Sequence, residues 1–318
     1  MKRIITILIV AAGLAGPLLV MPGTASADVV FSVSAGYGPP PLPYYPQPLC
    51  PGAGFIWTPG YWAYSDEGYF WVPGTWVLAP AIGLLWTPGW WGWHEGRYWW
   101  HEGYWGARVG YYGGIHYGYG YPGEGYYGGY WRDDDFYYNR AVNDLDDHRI
   151  HRTYDQRVDD NDRDDRVSYN GGDGGTTLRP TEEQQRFAHD RHFSVTEAQL
   201  EQERAARDNP AQRFAVNQGR PQVAATVRPG EFNGTGVVHL NKDRNPPVDP
   251  PVAHSTPGGP SFKRVQRTET VPIARPVIHT GNIYRTMPNA AVPVRDGYRS
   301  ESRVQRPQPV RIEAPHVR

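Results

Sequence analysis

The sequence predicts a small all-β module, a four-stranded antiparallel meander of Trp-rich repeats, followed by a largely disordered tail with short helices. Three observations predict it. All twelve tryptophans of the 318-residue chain lie between Phe55 and Trp131. Within that window four ten-residue units align without gaps. Beyond Gly175 the chain turns polar and rich in Arg and Pro, with too few large apolar residues to offset the entropy of ordering them. Composition agrees with this division. There are 32 Lys and Arg against 33 Asp and Glu, 37 Gly and 31 Pro, a single cysteine, and aromatics at 14%. The charge balance argues against a uniformly basic nucleic-acid binder. Cys50 alone excludes an internal disulfide framework and any zinc site built on two or more thiolates.

Residues 1–27 read as a secretory signal peptide. Lys2 and Arg3 precede an apolar run from Ile4 to Met21, and Ala25-Ser26-Ala27 supplies the small residues of a cleavage site before Asp28. An uncleaved anchor is the rival, but Gly16-Pro17 and Pro22-Gly23 break such a helix. The expected destination is the periplasm, the outer envelope or the extracellular space. Residues 28–54, with Pro39-Pro40-Pro41 and Tyr44-Tyr45-Pro46, favour polyproline II and read as a spacer.

The module, 55–107, is a fourfold repeat: Phe55–Tyr64, Tyr69–Leu78, Leu84–Trp93 and Tyr98–Ala107. The shared core is W-x-x-G-x-W, beginning at Trp57, Trp71, Trp86 and Trp100, which lie 14, 15 and 14 residues apart. Aromatic and β-branched residues suit a pleated surface, so each unit reads as a strand. The connectors Ser65–Gly68, Ala79–Gly83 and His94–Arg97 read as hairpin loops. The internal Pro-Gly admits two geometries. A bulge with glycine at positive φ would return both tryptophans of a unit to one face, whereas a type II turn would set them across a tight hairpin. The bulge is favoured, because type II turns splay hairpin strands.

These residues resemble the YXWGXW (WxxGxW) repeat family of bacterial exported proteins. Tyr69, Trp71, Gly74 and Trp76 match the motif in full, as do Tyr98, Trp100, Gly103 and Trp105; Phe55 and Leu84 replace the Tyr in the other units. The resemblance implies export and an envelope or surface location, and no chemistry.

Residues 108–139 form a Tyr/Gly-rich extension. Gly118-Tyr-Gly-Tyr-Pro-Gly123 matches the dinucleotide fingerprint formally, but Pro122 and the surrounding Tyr-Gly repeats exclude the strand-to-helix setting it needs. Residues 140–175 are an Asp/Arg-rich linker. Asp160, Asp162 and Asp164 imitate a calcium loop, yet Asp165 stands where Gly is required and Gly171 where Glu is, so a solvated charge run is expected. In 176–240, Thr181-Glu-Glu-Gln184 and Ser194-Val-Thr-Glu197 are capping boxes, predicting short helices near 181–192 and 195–208 that are marginal without a partner. Residues 241–318, with thirteen Lys or Arg against six Asp or Glu, read as a disordered tail.

No catalytic site is nominated, because no nucleophile stands with a matched base, and no cofactor is expected. His94-Glu95 and His101-Glu102 lack a second His at helical spacing, so no metal is expected either. The tryptophans carry the functional expectation. Eleven of them fall within the 49 residues from Trp57 to Trp105, and a single-layer meander buries only one face. The other face then meets something, and the candidate platform is Trp57, Trp62, Trp71, Trp76, Trp86, Trp91, Trp100 and Trp105. The first expectation is a non-enzymatic protein whose repeats mediate interaction or assembly, with an envelope protein or a second copy as partner. The second is a carbohydrate-binding module stacking polysaccharide sugar rings on exposed indoles. The third is peripheral association with a membrane interface. Nucleic acid is not an expected partner, with Arg97 and Arg108 the only basic residues among the repeats.

Overall fold

A computed structural model describes residues 33–158 and 166–249. The signal peptide, the calcium-like run and most of the C-terminal tail lie outside the described residues. The chain begins with β1 (Ser34–Ala35) and then enters the repeats, where every ten-residue unit is divided at its Pro-Gly or Glu-Gly step. The first two units give β2 (Phe55–Thr58), β3 (Tyr61–Ser65), β4 (Gly68–Val72) and β5 (Gly74–Leu78). The next two give β6 (Leu85–Thr87), β7 (Trp90–His94), β8 (Arg97–His101) and β9 (Tyr104–Gly106).

The pairing is not a four-stranded meander. β2 pairs antiparallel with β5 and β3 with β4, so the first two units form one long hairpin. β6 pairs with β9 and β7 with β8, giving a second hairpin. Units two and three do not pair. The free side of β5 is taken instead by a distant strand, so Ala79–Gly83 links two hairpins rather than closing one. The true turns are the outer connectors. Glu95 and Gly96 have φ of 50° and 80°, the backbone of a two-residue turn that matches the twist of the strands it joins.

Register decides between bulge and turn at Pro-Gly, and neither occurs. Phe55 faces Leu78 and Thr58 faces Thr75; beyond the break Tyr61 faces Val72 and Ser65 faces Gly68. The count is unchanged across the break, so no extra residue is accommodated and the chain does not reverse. Pro59 lies opposite Gly74 and Gly60 opposite Pro73. The prolines have no N–H to give the ladder, which is interrupted there on both strands. The second hairpin repeats the arrangement, with Thr87 facing Tyr104 before the break and Trp90 facing His101 after it.

The Tyr/Gly extension forms two further small sheets. β10 (His116–Gly118) pairs with β11 (Tyr121–Pro122), so the formal nucleotide fingerprint lies on a hairpin. β12 (Gly129–Arg132) and β13 (Asp135–Asn139) pair antiparallel, with β14 (Thr153–Tyr154) added in parallel. β15 (Tyr169–Asn170) extends the sheet of β7 and β8, whose other edge is β1.

Helices α1 (Glu182–Phe187), α2 (Glu197–Asp208) and α3 (Phe214–Asn217) follow, then β16 (Ala225–Thr226) and β17 (Val237–Val238). The Thr181–Gln184 capping box opens α1 as its sequence predicts. α2 starts two residues later than expected: Thr196 is its N-cap and Gln199 completes the box, so Ser194 is not the cap.

Division by composition does not describe the packing. The 33–54 stretch is no free spacer, since Ala35, Leu42 and Cys50 are buried with the repeat tryptophans. The described part of 140–175 contributes β14 and β15 and buries Ile150 in the same core. α2 seats on the repeats through Ala206, clustered with Phe70 and Val72, and through Gln202, whose Nε2 donates to the Pro73 carbonyl at 3.0 Å and to Thr226 Oγ1 at 3.1 Å. β16 runs parallel to β5, placing Ala225 beside Gly74. The strands are therefore mostly short and antiparallel, and one aromatic core runs through them.

Candidate functional site

Each hairpin places a first tryptophan of one unit directly across from a second tryptophan of its partner. Trp57 faces Trp76, and Trp71 faces Trp62. Trp86 faces Trp105, and Trp100 faces Trp91. Ring centroids are 5.3 Å apart in the first three pairs and 5.4 Å in the Trp91–Trp100 pair, with interplanar angles of 52–66°. Tilted and edge-to-face contacts of this kind add about 0.5–1.5 kcal/mol per pair beyond burial of their area.

The glycine of the motif follows from the same geometry. Gly74 lies two residues before Trp76, which makes it the diagonal cross-strand neighbour of Trp57. A Cβ at Gly74 would stand 2.6 Å from Trp57 Cζ2. At Gly60 it would stand 2.3 Å from Trp71 Cζ2, at Gly89 2.4 Å from Trp100 Cζ2, and at Gly103 2.4 Å from Trp86 Cζ2. Every first tryptophan thus lies over the glycine of the paired unit. None of these four glycines has a positive φ; they are required for space, not for backbone freedom. Glu102, at the proline position of the fourth unit, is exposed.

The two hairpins then close on each other. Trp91 Nε1 donates to the Trp62 carbonyl at 2.7 Å, and its ring meets Tyr69 edge-on. Tyr61 stacks on Trp100 at 4.9 Å. The buried Tyr121 hydroxyl donates to the Trp86 carbonyl at 2.9 Å and lies 3.4 Å from the Trp57 carbonyl, the equivalent atom of the first hairpin. Burial pushes the Tyr69, Tyr112 and Tyr121 phenols well above their ordinary range, so they act as neutral donors.

Four more of the paired indole N–H groups are met by the flanking segments, whereas Trp57 Nε1 is buried without a hydrogen-bond partner. Trp62 donates to the Pro41 carbonyl at 3.1 Å and Trp76 to that of Pro48 at 2.8 Å. Trp71 donates to the Ala224 carbonyl at 3.0 Å and Trp105 to Gln199 Oε1 at 2.8 Å. Of the eight candidate platform residues, Trp57, Trp62, Trp71, Trp76, Trp86, Trp91 and Trp105 are buried; Trp100 is half-buried beneath Tyr61. The expected exposed aromatic platform is therefore corrected. Its second face is covered by the other hairpin and by the chain on either side of the repeats.

The His-Glu pairs separate. His94 and Glu95 sit together on an exposed turn, Nε2 to Oε1 at 3.5 Å. His101 lies flat on Trp90, centroids 3.8 Å apart and planes 3° from parallel. Among the described residues no group of three or more His, Cys, Asp or Glu could hold a metal ion. Burial pushes the His101 pKa down to about 4. Its folded value then lies below its unfolded value near 6.5, so its contribution to stability is complete above pH 6.5 and is lost as pH falls toward 4. A His101→Gln variant is expected to lose less stability than the parent over that interval, as read from urea midpoints at stepped pH.

A cleft of about 610 Å³ opens elsewhere, between the strap of residues 41–47 and the Tyr/Gly extension. Tyr44, Gln47, Trp71, Tyr119, Asp144 and Arg166 are among its walls. Apart from Trp71, sequence reasoning placed these residues in spacer, extension or linker, and no local motif marks them.

Comparisons with known proteins agree with the repeat. No curated protein and no solved structure matches the chain. The WXXGXW repeat family model matches residues 52–77 in two copies, the span of the first hairpin almost end to end. The third and fourth units reproduce its tryptophans and glycines in the same pairing, so the chain carries WXXGXW repeats arranged as paired copies.

Proposed function

We propose that this is an exported, non-enzymatic envelope protein whose repeats act as a rigid internal scaffold, leaving contact with envelope components to the surfaces arranged around it. The observation that carries the reading is the closure of the four tryptophan pairs, with seven of those eight residues buried by the chain itself. An aromatic face reserved for another molecule would stand open. The residue pattern of 1–27 supports export, and the lack of a nucleophile with a matched base supports a non-catalytic role.

Tryptophan emission of the full exported chain tests the scaffold. It is expected to be blue-shifted and to stay so on dilution, since the burial is intramolecular. Emission at the wavelength of hydrated indole, or a blue shift that disappears on dilution, overturns the scaffold and restores assembly through the repeats. Mass spectrometry of the envelope fraction tests export, with an N-terminus at Asp28 expected and an intact Met1 in the cytosol opposing it.

A further inference from the structure

We propose that the cleft between the 41–47 strap and Tyr119 binds a neutral saccharide, with Tyr44 and Tyr119 against the ring and Gln47, Asp144 and Arg166 bonding its hydroxyls. The proposal rests on the scaffold reading, because it needs walls that are fixed before the ligand arrives. The cleft volume of about 610 Å³ lies within the ~300–1,000 Å³ usual for small-molecule sites.

The walls are fixed from several directions. Asn245, itself fully buried, clasps the backbone of Tyr44: the Tyr44 N–H donates to Asn245 Oδ1 at 2.8 Å, and Asn245 Nδ2 donates to the Tyr44 carbonyl at 2.9 Å. The Tyr119 hydroxyl donates to the Tyr45 carbonyl, tying the opposite wall to the strap. Trp71, locked in its pair with Trp62, forms part of the wall. Held in this way, the Tyr44 side chain nevertheless remains 37% exposed, an aromatic surface offered to the outside.

Polar groups on the walls select the ligand chemistry. Gln47 is 5% exposed; its Oε1 accepts from the Asp144 N–H at 2.8 Å, and its Nε2 is buried with no acceptor. An unpaired buried donor is costly, so a small turn of the Gln47 side chain that brings Nε2 to a ligand oxygen in the cleft is favoured. The rim carries both signs, Asp144 and Arg166, with the Arg166 guanidinium 5.2 Å from the Tyr44 ring centre. A purely apolar ligand would leave the Gln47 amide unpaired. An anion would meet Arg166 favourably but Asp144 unfavourably. A sugar hydroxyl both donates and accepts, and so serves carboxylate, amide and guanidinium alike, while the C–H face of the ring suits the two tyrosines.

Titration calorimetry of the full exported chain with cellotriose, maltotriose and N,N′-diacetylchitobiose tests this. Saturable binding of at least one is expected. Tyr44→Ala is expected to weaken it about tenfold or more, without altering the backbone clasp by Asn245. Gln47→Glu, which keeps the oxygen for the Asp144 amide and removes the unpaired donor, is expected to weaken it similarly. Tryptophan emission of both variants should match the parent. No binding by any of the three sugars, or binding indifferent to Tyr44→Ala, overturns the proposal, as does displacement of the sugar by inorganic phosphate. Failure of the titrations with blue-shifted, dilution-resistant emission removes the saccharide alone; loss of that emission in the parent removes the scaffold beneath it.

Discussion

A Gly60→Ala variant is expected to lose about 3 kcal/mol of folding stability, although it adds a single methyl group. The new Cβ would stand 2.3 Å from Trp71 Cζ2 and 2.9 Å from both the Gly74 nitrogen and the Val72 oxygen. Two of those three atoms are backbone, fixed by the facing strand, and the third belongs to an indole locked between Trp62 and the Ala224 carbonyl. No rotamer relieves the contact. Gly83→Ala supplies the contrast. Gly83 has φ of 85° but nothing within 4 Å of its Cβ position, so that change costs only the left-handed backbone penalty of about 1 kcal/mol. Gly60→Ala and Trp71→Phe together should cost less than the sum of their separate losses, since the indole edge leaves while Gly74 and Val72 remain. Urea unfolding of the parent, the three single variants and the double variant decides it. If Gly60→Ala costs no more than Gly83→Ala, the cross-strand packing of tryptophan on glycine does not explain the motif.

The parts of this fold that were legible in the sequence are those decided locally. The aromatic units become strands, Glu95-Gly96 forms a turn, and Thr181 caps a helix, each through residues within a few positions of one another. Pairing was not legible. Units spaced almost evenly look equivalent, and nothing local says that unit two turns back on unit one while Ala79–Gly83 merely carries the chain to unit three. Glycine was misread for a related reason. A glycine after proline is ordinarily explained by its own backbone, whereas Gly60 and Gly74 answer to indoles on the opposite strand. The covering segments were hidden because much of their contribution is polar, beside a few small or isolated apolar residues such as Ala35, Ala206 and Phe214. Pro41, Pro48 and Ala224 offer carbonyls, and Gln199, Gln202 and Gln212 offer amides. Composition reports apolar mass, and a proline-rich strap or a Gln-bearing helix has little of it. The cleft is built largely from those same segments, so its residues were missed with them.

Residues 55–107, expressed alone, are therefore expected not to fold cooperatively, even though they contain all four units. Two isolated hairpins are marginal in water. In the whole protein four of the paired tryptophans send their N–H groups outside this segment, to Pro41, Pro48, Gln199 and Ala224. Without those partners each indole either stays buried with an unpaired donor, at about 1–3 kcal/mol, or turns to water and forfeits its burial. Four such losses are comparable with the ~5–15 kcal/mol that stabilises a typical domain. β5 would also lose its neighbour β16, and β8 its neighbour β1, leaving exposed edges prone to pair with other chains. The comparison is between this segment and residues 33–249. The longer piece should give blue-shifted emission and a single urea transition; the shorter should give hydrated-indole emission with no cooperative transition, or aggregate. If both unfold alike, the repeats are autonomous and the flanking chain merely decorates them. If only the longer piece folds, the repeat is half of a structure whose other half is written in proline carbonyls and glutamine amides, and copies of the motif found alone in other chains would need a comparable covering to form the same core.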